Sequence, residues 1–405
     1  RSSSGCQEIA RSGVPRGTPR NPEEPEEPMK HLYGRAFVDG MLRDDTLISI
    51  DEQVIVDVVH TTHVPASAER VQGILVPGFV DIHVHGGDGA DFMDAHEEAS
   101  ARILAFHAQH GTTALAATTL SASRGDLHSA VETIARVSGE SPYGAEVVAV
   151  HLEGPFINES RAGAQDRRSI RVADIHELAA LIAEVPRLRW IVTVAPEIEG
   201  VRALIEHFRD RVLFSIGHTA ADYGATVAAM EWGASHFTHL YNAMTPLLHR
   251  DPGVVGAALN AVHATAELIA DGVHVHPAAL RIAVTAMPHR IALITDAMRA
   301  CGLSDGTYKL YDYEVTVSDG AARLADGTLA GSVLTMGGAV KNMIELAGLP
   351  VETVIPLATE VPARIAAVSD RKGKIERRYD ADIVLLNTKF EVERVWARGH
   401  EVGTV

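Results

Sequence analysis

Residues 77–86 read Pro77-Gly78-Phe79-Val80-Asp81-Ile82-His83-Val84-His85-Gly86, and Ile74, Leu75 and Val76 lead into them. Side chains at i and i+2 of a β-strand share a face, so His83 and His85 converge on one spot at a strand end. Imidazole nitrogen is a common ligand of zinc and other first-row divalent ions. In a barrel, the C-terminal end of such a strand is where the chemistry sits.

Working outward, strand-like runs recur at Ile74–His85, Thr112–Thr119, Glu146–Glu153, Leu188–Pro196, Val212–His218, Ser235–His239, Glu267–His274 and Arg290–Asp296. Most are separated by segments with helical spacing. Ile175, Leu178, Ala179 and Ile182 follow an i, i+3, i+4, i+7 face, and Asp174 stands before them as an N-cap. Strands alternating with helices in this number predict an α/β fold, a (β/α)8 TIM-like barrel over 74–372. A doubly wound open sheet is the alternative, but no glycine-rich dinucleotide fingerprint follows the first strand.

The ends of the chain read differently. Leu47–Ile50 and Val54–Val59 are short strand-like runs within 29–73. Asp382–Leu386 and Val392–Ala397, followed by an Arg398-Gly399-His400 turn, are their counterparts within 373–405. Together they predict one small β-sandwich domain built from both chain ends. Residues 1–28 are rich in Ser, Arg, Pro and Glu and lack the apolar core of a signal peptide; they are expected to be a disordered extension upstream of a natural start at Met29.

Composition narrows the function. The formal charge of −17 disfavours nucleic acid as a partner, because phosphate backbones want a basic face. An anionic small molecule remains open, provided local groups receive it. The two cysteines, Cys6 and Cys301, supply neither a disulfide framework nor a thiolate zinc cluster, so a cytoplasmic setting is expected. No apolar run approaches the length of a membrane span.

The polar residues fall at the strand ends: His83 and His85, His151-Leu152-Glu153, His218, His239, Asp271 with His274, and Asp296. Any one of them could cap a strand or bind loop amides. Buried together without a cation, they would carry a large desolvation cost. Imidazoles and carboxylates without thiolates suit zinc first, with Fe2+, Mn2+ or Co2+ as alternatives, in a catalytic centre with an open position. Hydrolysis of an amide or related bond is the natural reaction class, one carboxylate moving the proton.

These motifs resemble the amidohydrolase superfamily and, within it, the N-acetylglucosamine-6-phosphate deacetylases. The matching stretches are Pro77–Gly86, His151–Phe156, Gly217–Thr219, Thr238–Met244, Arg250–Gly253, Ala270–His274, Thr295–Ala297 and Leu329–Ser332. The resemblance implies that Glu153, His218 and His239 bind the principal metal. His83 and His85 would help build a second position, giving one or two ions per subunit. Asp296 would be the catalytic acid/base. Asn242 and Ala243 would meet a phosphate, with Arg250 reaching it from a neighbouring subunit of a homodimer. His274 would hold a sugar hydroxyl, and Leu329, Ala330 and Gly331 would approach the sugar by backbone. Ala164 and Gln165 would also face the substrate. Gln165 departs from the family, which usually carries a histidine there to help polarise the substrate carbonyl; Gln can donate a hydrogen bond but not carry charge. Thr245 stands where proline is frequent.

The resemblance leaves related amidohydrolases open, including N-acetylgalactosamine-6-phosphate and N-acyl amino acid deacetylases. Cyclic amidases are disfavoured because Glu153 stands where they often use a carboxylated lysine. A silent scaffold on this fold would tend to lose ligands that this chain keeps.

Overall fold

The computed structural model describes residues 29–139 and 144–403. The expected extension at 1–28, with Cys6, lies outside the described residues. Eight parallel strands form the central sheet: β1 (Phe79–Val84), β2 (Thr112–Thr119), β3 (Glu146–Glu153), β4 (Arg189–Val194), β5 (Val212–Ile216), β6 (His236–Phe237), β7 (Thr265–Ile269) and β8 (Ile291–Ile294). The chain order is also the spatial order. The barrel closes between β8 and β1, where Asp296 N donates to His83 O and His85 N donates to Ala297 O, each at 2.9 Å. A helix follows each strand on the outside, from Glu97–Gln109 after β1 to Met336–Glu345 after β8. Strands so enclosed are buried on both faces, which is why they read as near-continuous apolar runs.

The expected strand Ile74–His85 is two strands. Glu69–Pro77 pairs with Lys30–Val38 and Ile383–Leu386 in a separate seven-stranded sheet, while Phe79–Val84 enters the barrel. The break falls at Gly78, where a β-carbon would lie 2.2 Å from Thr113 Oγ1. The second sheet draws its strands from both chain ends, as expected. Ile55 near one edge and Trp396 near the other share an apolar cluster with Leu32, Ile48 and Leu75, so the sheet folds over its own core. Sequence patterning did not reveal a three-stranded antiparallel insertion (Gly306–Leu310, Tyr313–Ser318 and Ala321–Arg323) after β8.

The helix at Ile175–Glu184 is capped as expected, Asp174 accepting from His176 N and Glu177 N. Its buried face differs: Glu177, Leu178, Leu181 and Ile182 are inside, and Ala179 is exposed. Glu177 can be buried because Arg171 and Arg124 neutralise it, at 2.5 and 2.9 Å.

Candidate active site

Six expected residues meet at the C-terminal mouth of the barrel. Glu153 Oε1 lies 3.1 Å from His218 Nε2 and 3.1 Å from His239 Nε2, and the two nitrogens are 3.0 Å apart. His83 Nε2 lies 3.3 Å from the same oxygen, and His85 Nε2 lies 3.2 Å from Glu153 Oε2. Asp296 Oδ1 is 3.2 Å from His85 Nε2 and 3.5 Å from His83 Nε2. All six are buried. His218, His239 and Asp296 have φ of 47°, 31° and 49°, the left-handed region that costs about 1–3 kcal/mol per non-glycine residue. The chain thus leaves the strands abruptly, and the turn aims each side chain back across the mouth.

The donor set fits a divalent ion. A tetrahedral ion with ligands at about 2.1 Å spaces its ligand atoms about 3.4 Å apart, and the Glu153–His218–His239 triangle, with sides of 3.0–3.1 Å, is a few tenths of an ångström tighter. His83, His85 and Glu153 form a second group that shares the carboxylate. The electrostatics agree. Burial opposes charge on His85, yet Asp296 and Glu153 push it up to about 9. Burial also opposes ionisation of Glu153, but His83, His218 and His239 hold its carboxyl well below the usual range. Such a centre favours added positive charge. A third grouping, His83, His151 and Glu267, is occupied within the protein: His151 is engaged by Ile82 O at 3.1 Å and Thr193 Oγ1 at 2.8 Å. Burial, followed by His83, drives its pKa down to about 3.

The floor beneath the site contains residues to which sequence reasoning gave no role. Glu267 Oε2 lies 2.9 Å from His83 Nδ1 and accepts from His239 N at 3.1 Å; its other oxygen meets His236 Nε2 at 3.1 Å. Asp81 accepts from Thr295 Oγ1 at 2.6 Å, tying β1 to the end of β8. Burial pushes Asp81 up to about 7. The only signal for these two was a carboxylate inside an otherwise apolar strand.

A cavity of about 520 Å³ opens above the cluster, within the range of small-molecule sites. His85, Glu153, His218, His239 and Asp296 line it, as do the expected Ala164, Gln165, Asn242, Ala243, His274, Leu329 and Gly331. Asp271 accepts from His274 N and orients its ring, with Nδ1 at 2.6 Å from Oδ2. Ala330 does not line the cavity; it is fully buried in the apolar cluster of the insertion. Arg250 is exposed and lies outside the lining, its guanidinium beside His249. Arg161, Arg167 and Arg323 reach the cavity without having been anticipated.

Gln165 is committed at both ends: Ser121 N donates to its Oε1 and its Nε2 donates to Glu153 Oε2, each at 2.6 Å. Thr245 also has work: its hydroxyl accepts from Val254 N at 2.8 Å and donates to Ala221 O at 2.7 Å. Gly154 has φ 82°, which L side chains rarely adopt, and a β-carbon there would also crowd Ser121, at 2.0 Å from its Oγ.

A model of the Amidohydrolase family matches residues 74–402. The chain is 40% identical over 332 residues to the N-acetylglucosamine-6-phosphate deacetylase of Bacillus subtilis (strain 168), covering 81% of this chain and 84% of that protein. It is 38% identical over 358 residues to the N-acetylgalactosamine-6-phosphate deacetylase of Escherichia coli O157:H7, covering 88% and 94%. Among solved structures, it is similar to a point mutant of N-acetyl-D-glucosamine-6-phosphate deacetylase from Mycobacterium smegmatis in complex with N-acetyl-D-glucosamine-6-phosphate. That match has a TM-score of 0.87 and 34% identity, covering 93% of this chain and all of the other. This chain belongs to the amidohydrolase family.

Proposed function

We propose that this chain removes acetate from N-acetylglucosamine 6-phosphate, giving glucosamine 6-phosphate, in amino-sugar catabolism and recycling. One observation carries the reading: Glu153, His218, His239, His83, His85 and Asp296 converge beneath a single cavity of small-molecule size. The relatives named above supply the substrate class.

In this reading, Glu153, His218 and His239 would hold the principal ion, zinc by preference, and His83 and His85 would help build a second position. A divalent ion at such a site polarises a carbonyl and acidifies water. Asp296 takes the proton from the attacking water and returns it to the departing amine nitrogen. Burial opposes its charge, but His83 and then His85 hold its carboxyl below the usual range, so the group is ionised at neutral pH. His274 orients a sugar hydroxyl, Leu329 and Gly331 face the ring, and Asn242 and Ala243 meet the phosphate.

Arg250 would complete the phosphate site from the partner of a homodimer; Leu247 and Leu248 beside it are half exposed and suit coverage by a second subunit. A guanidinium fork matches phosphate geometry. Among the described residues no helix is long and apolar enough to cross a membrane. Cys301 is a buried free thiol, in keeping with the cytoplasmic setting proposed here.

The Escherichia coli relative favours a second reading, the same chemistry on the galactosamine epimer. Acetate release should be measured on both N-acetylhexosamine 6-phosphates and on unphosphorylated N-acetylglucosamine. Release is expected to be fastest from N-acetylglucosamine 6-phosphate. Faster release from the galactosamine epimer would select the second reading, and equal release with and without phosphate would remove the phosphate site.

A further inference from the structure

We infer that Gln165 is a positioning residue for the metal ligand Glu153, and that its side-chain amide fixes which way the two carboxylate oxygens face. This rests on the metal reading of the site. The terminal torsion of a glutamate is broad, so an unrestrained carboxylate turns freely about its last bond. The triangle that fits an ion exists only when Glu153 Oε1 points at His218 and His239, 3.1 Å from each. Gln165 Nε2 holds the opposite oxygen at 2.6 Å. A short bond to Oε2 sets the carboxylate plane and leaves Oε1 where the two imidazoles meet.

The orientation of the amide is itself determined. A backbone N–H only donates, so the end facing Ser121 N must be the oxygen. With the oxygen turned to Ser121, the other end is the NH2, which donates to Glu153 Oε2. The backbone donor thus fixes the amide orientation, and Gln165 is buried at 4% exposure, which keeps water from competing. Ser121 follows β2 and Glu153 ends β3. Gln165, carried on the loop after β3, therefore bridges two adjacent strand ends. The amide itself does not titrate. A protonated imidazole there could no longer accept from Ser121 N.

The test compares Co2+ binding by wild type, Gln165→Met and Gln165→His, through cobalt absorption and competition with a chelator, alongside circular dichroism and melting of the metal-free proteins. Methionine keeps shape but removes the donor. It is expected to weaken Co2+ affinity about 10–100-fold, as loss of an outer partner does, with the metal-free fold intact. Histidine in its neutral form can both accept and donate, and it is expected to recover most of that loss. Equal affinity in Gln165→Met and wild type would overturn the inference alone. So would an equal weakness in Gln165→His, which would indicate shape rather than the donor. If Gln165→Met does not fold, Gln165→Asn, too short to span both partners, takes its place under the same criteria. Wild-type protein that binds no Co2+ would end the metal reading and this inference together.

Discussion

The two ends of the barrel both bury charge. At the N-terminal end Lys372 lies 2.7 Å from Asp382, 3.0 Å from Asp380 and 3.1 Å from Glu146, while Arg371 adds contacts to Glu146 and Asp380 at 2.5 and 2.6 Å. Cations and carboxylates from the barrel and the end sheet neutralise each other there. At the C-terminal end the ionisable partners of Glu153, Glu267 and Asp296 are imidazoles; among the described residues no lysine or arginine pairs with them. A buried ion pair broken on one side is strongly destabilising, so charge used for architecture carries its own partner. Among the described residues no permanent cation is paired with the carboxylates at the mouth, and their ligand atoms gather around one point. That contrast separates a clasp from a binding centre more clearly than burial does, since both clusters are buried.

The largest expected effect tests whether every carboxylate at the mouth serves the ion. Asp296→Asn preserves shape and removes the proton acceptor. Turnover is expected to fall about 10²–10⁴-fold, the usual contribution of general acid–base catalysis, while metal content stays at the wild-type level. Acetate release and elemental analysis of the same preparation check this. A variant that loses its metal along with its activity would make Asp296 chiefly a ligand.

The next effect probes the other end. Burial opposes ionisation of Glu146, but Lys372 and Arg371 bring its pKa down from 4.5 to about 2. With the folded value below the unfolded one, the unfolded chain binds the extra proton between these limits. The stabilisation is complete above about pH 4.5 and is lost as pH falls toward 2, amounting to about 3 kcal/mol at most. Glu146→Gln should therefore flatten the stability profile between pH 4.5 and 2 in urea unfolding and leave turnover per folded molecule unchanged. A wild-type slope retained in the variant would show that the clasp contributes through other groups.

The same contrast explains what was legible in the sequence. His83 and His85 could be placed because a two-residue period at a strand end is a local fact, and Asp174 because capping needs only the next few residues. Glu267 could not, because its partner His83 is 184 positions away and meets it only when the barrel closes. Ile74–Val76 read as part of the first barrel strand because two apolar strands in series look like one until Gly78 directs them to different sheets. The insertion at 306–323 was missed because its three strands are short and bury only Leu310, Val315, Val317 and Ala322, which resembles loop. Gln165 was visible as a departure, but its partners came only with the fold.

The smallest effect concerns Glu267 and is the sharpest test of the contrast, since this carboxylate could belong to either type of cluster. Burial opposes its charge, yet His83 and then His236 hold it well below the usual range. If it serves the centre, it does so by accepting from His83 Nδ1, which leaves Nε2 as the nitrogen facing the mouth, and by holding the His239 backbone N–H. Glu267→Gln keeps the volume and one acceptor oxygen but removes the charge. Metal affinity is expected to fall about 10-fold, at the low end for loss of an outer partner, and turnover at saturating metal should remain close to wild type because Asp296 is untouched. Chelator competition and acetate release at several metal concentrations separate the two quantities. Unchanged affinity with lowered stability would place Glu267 with Glu146, as a charge retained for the architecture.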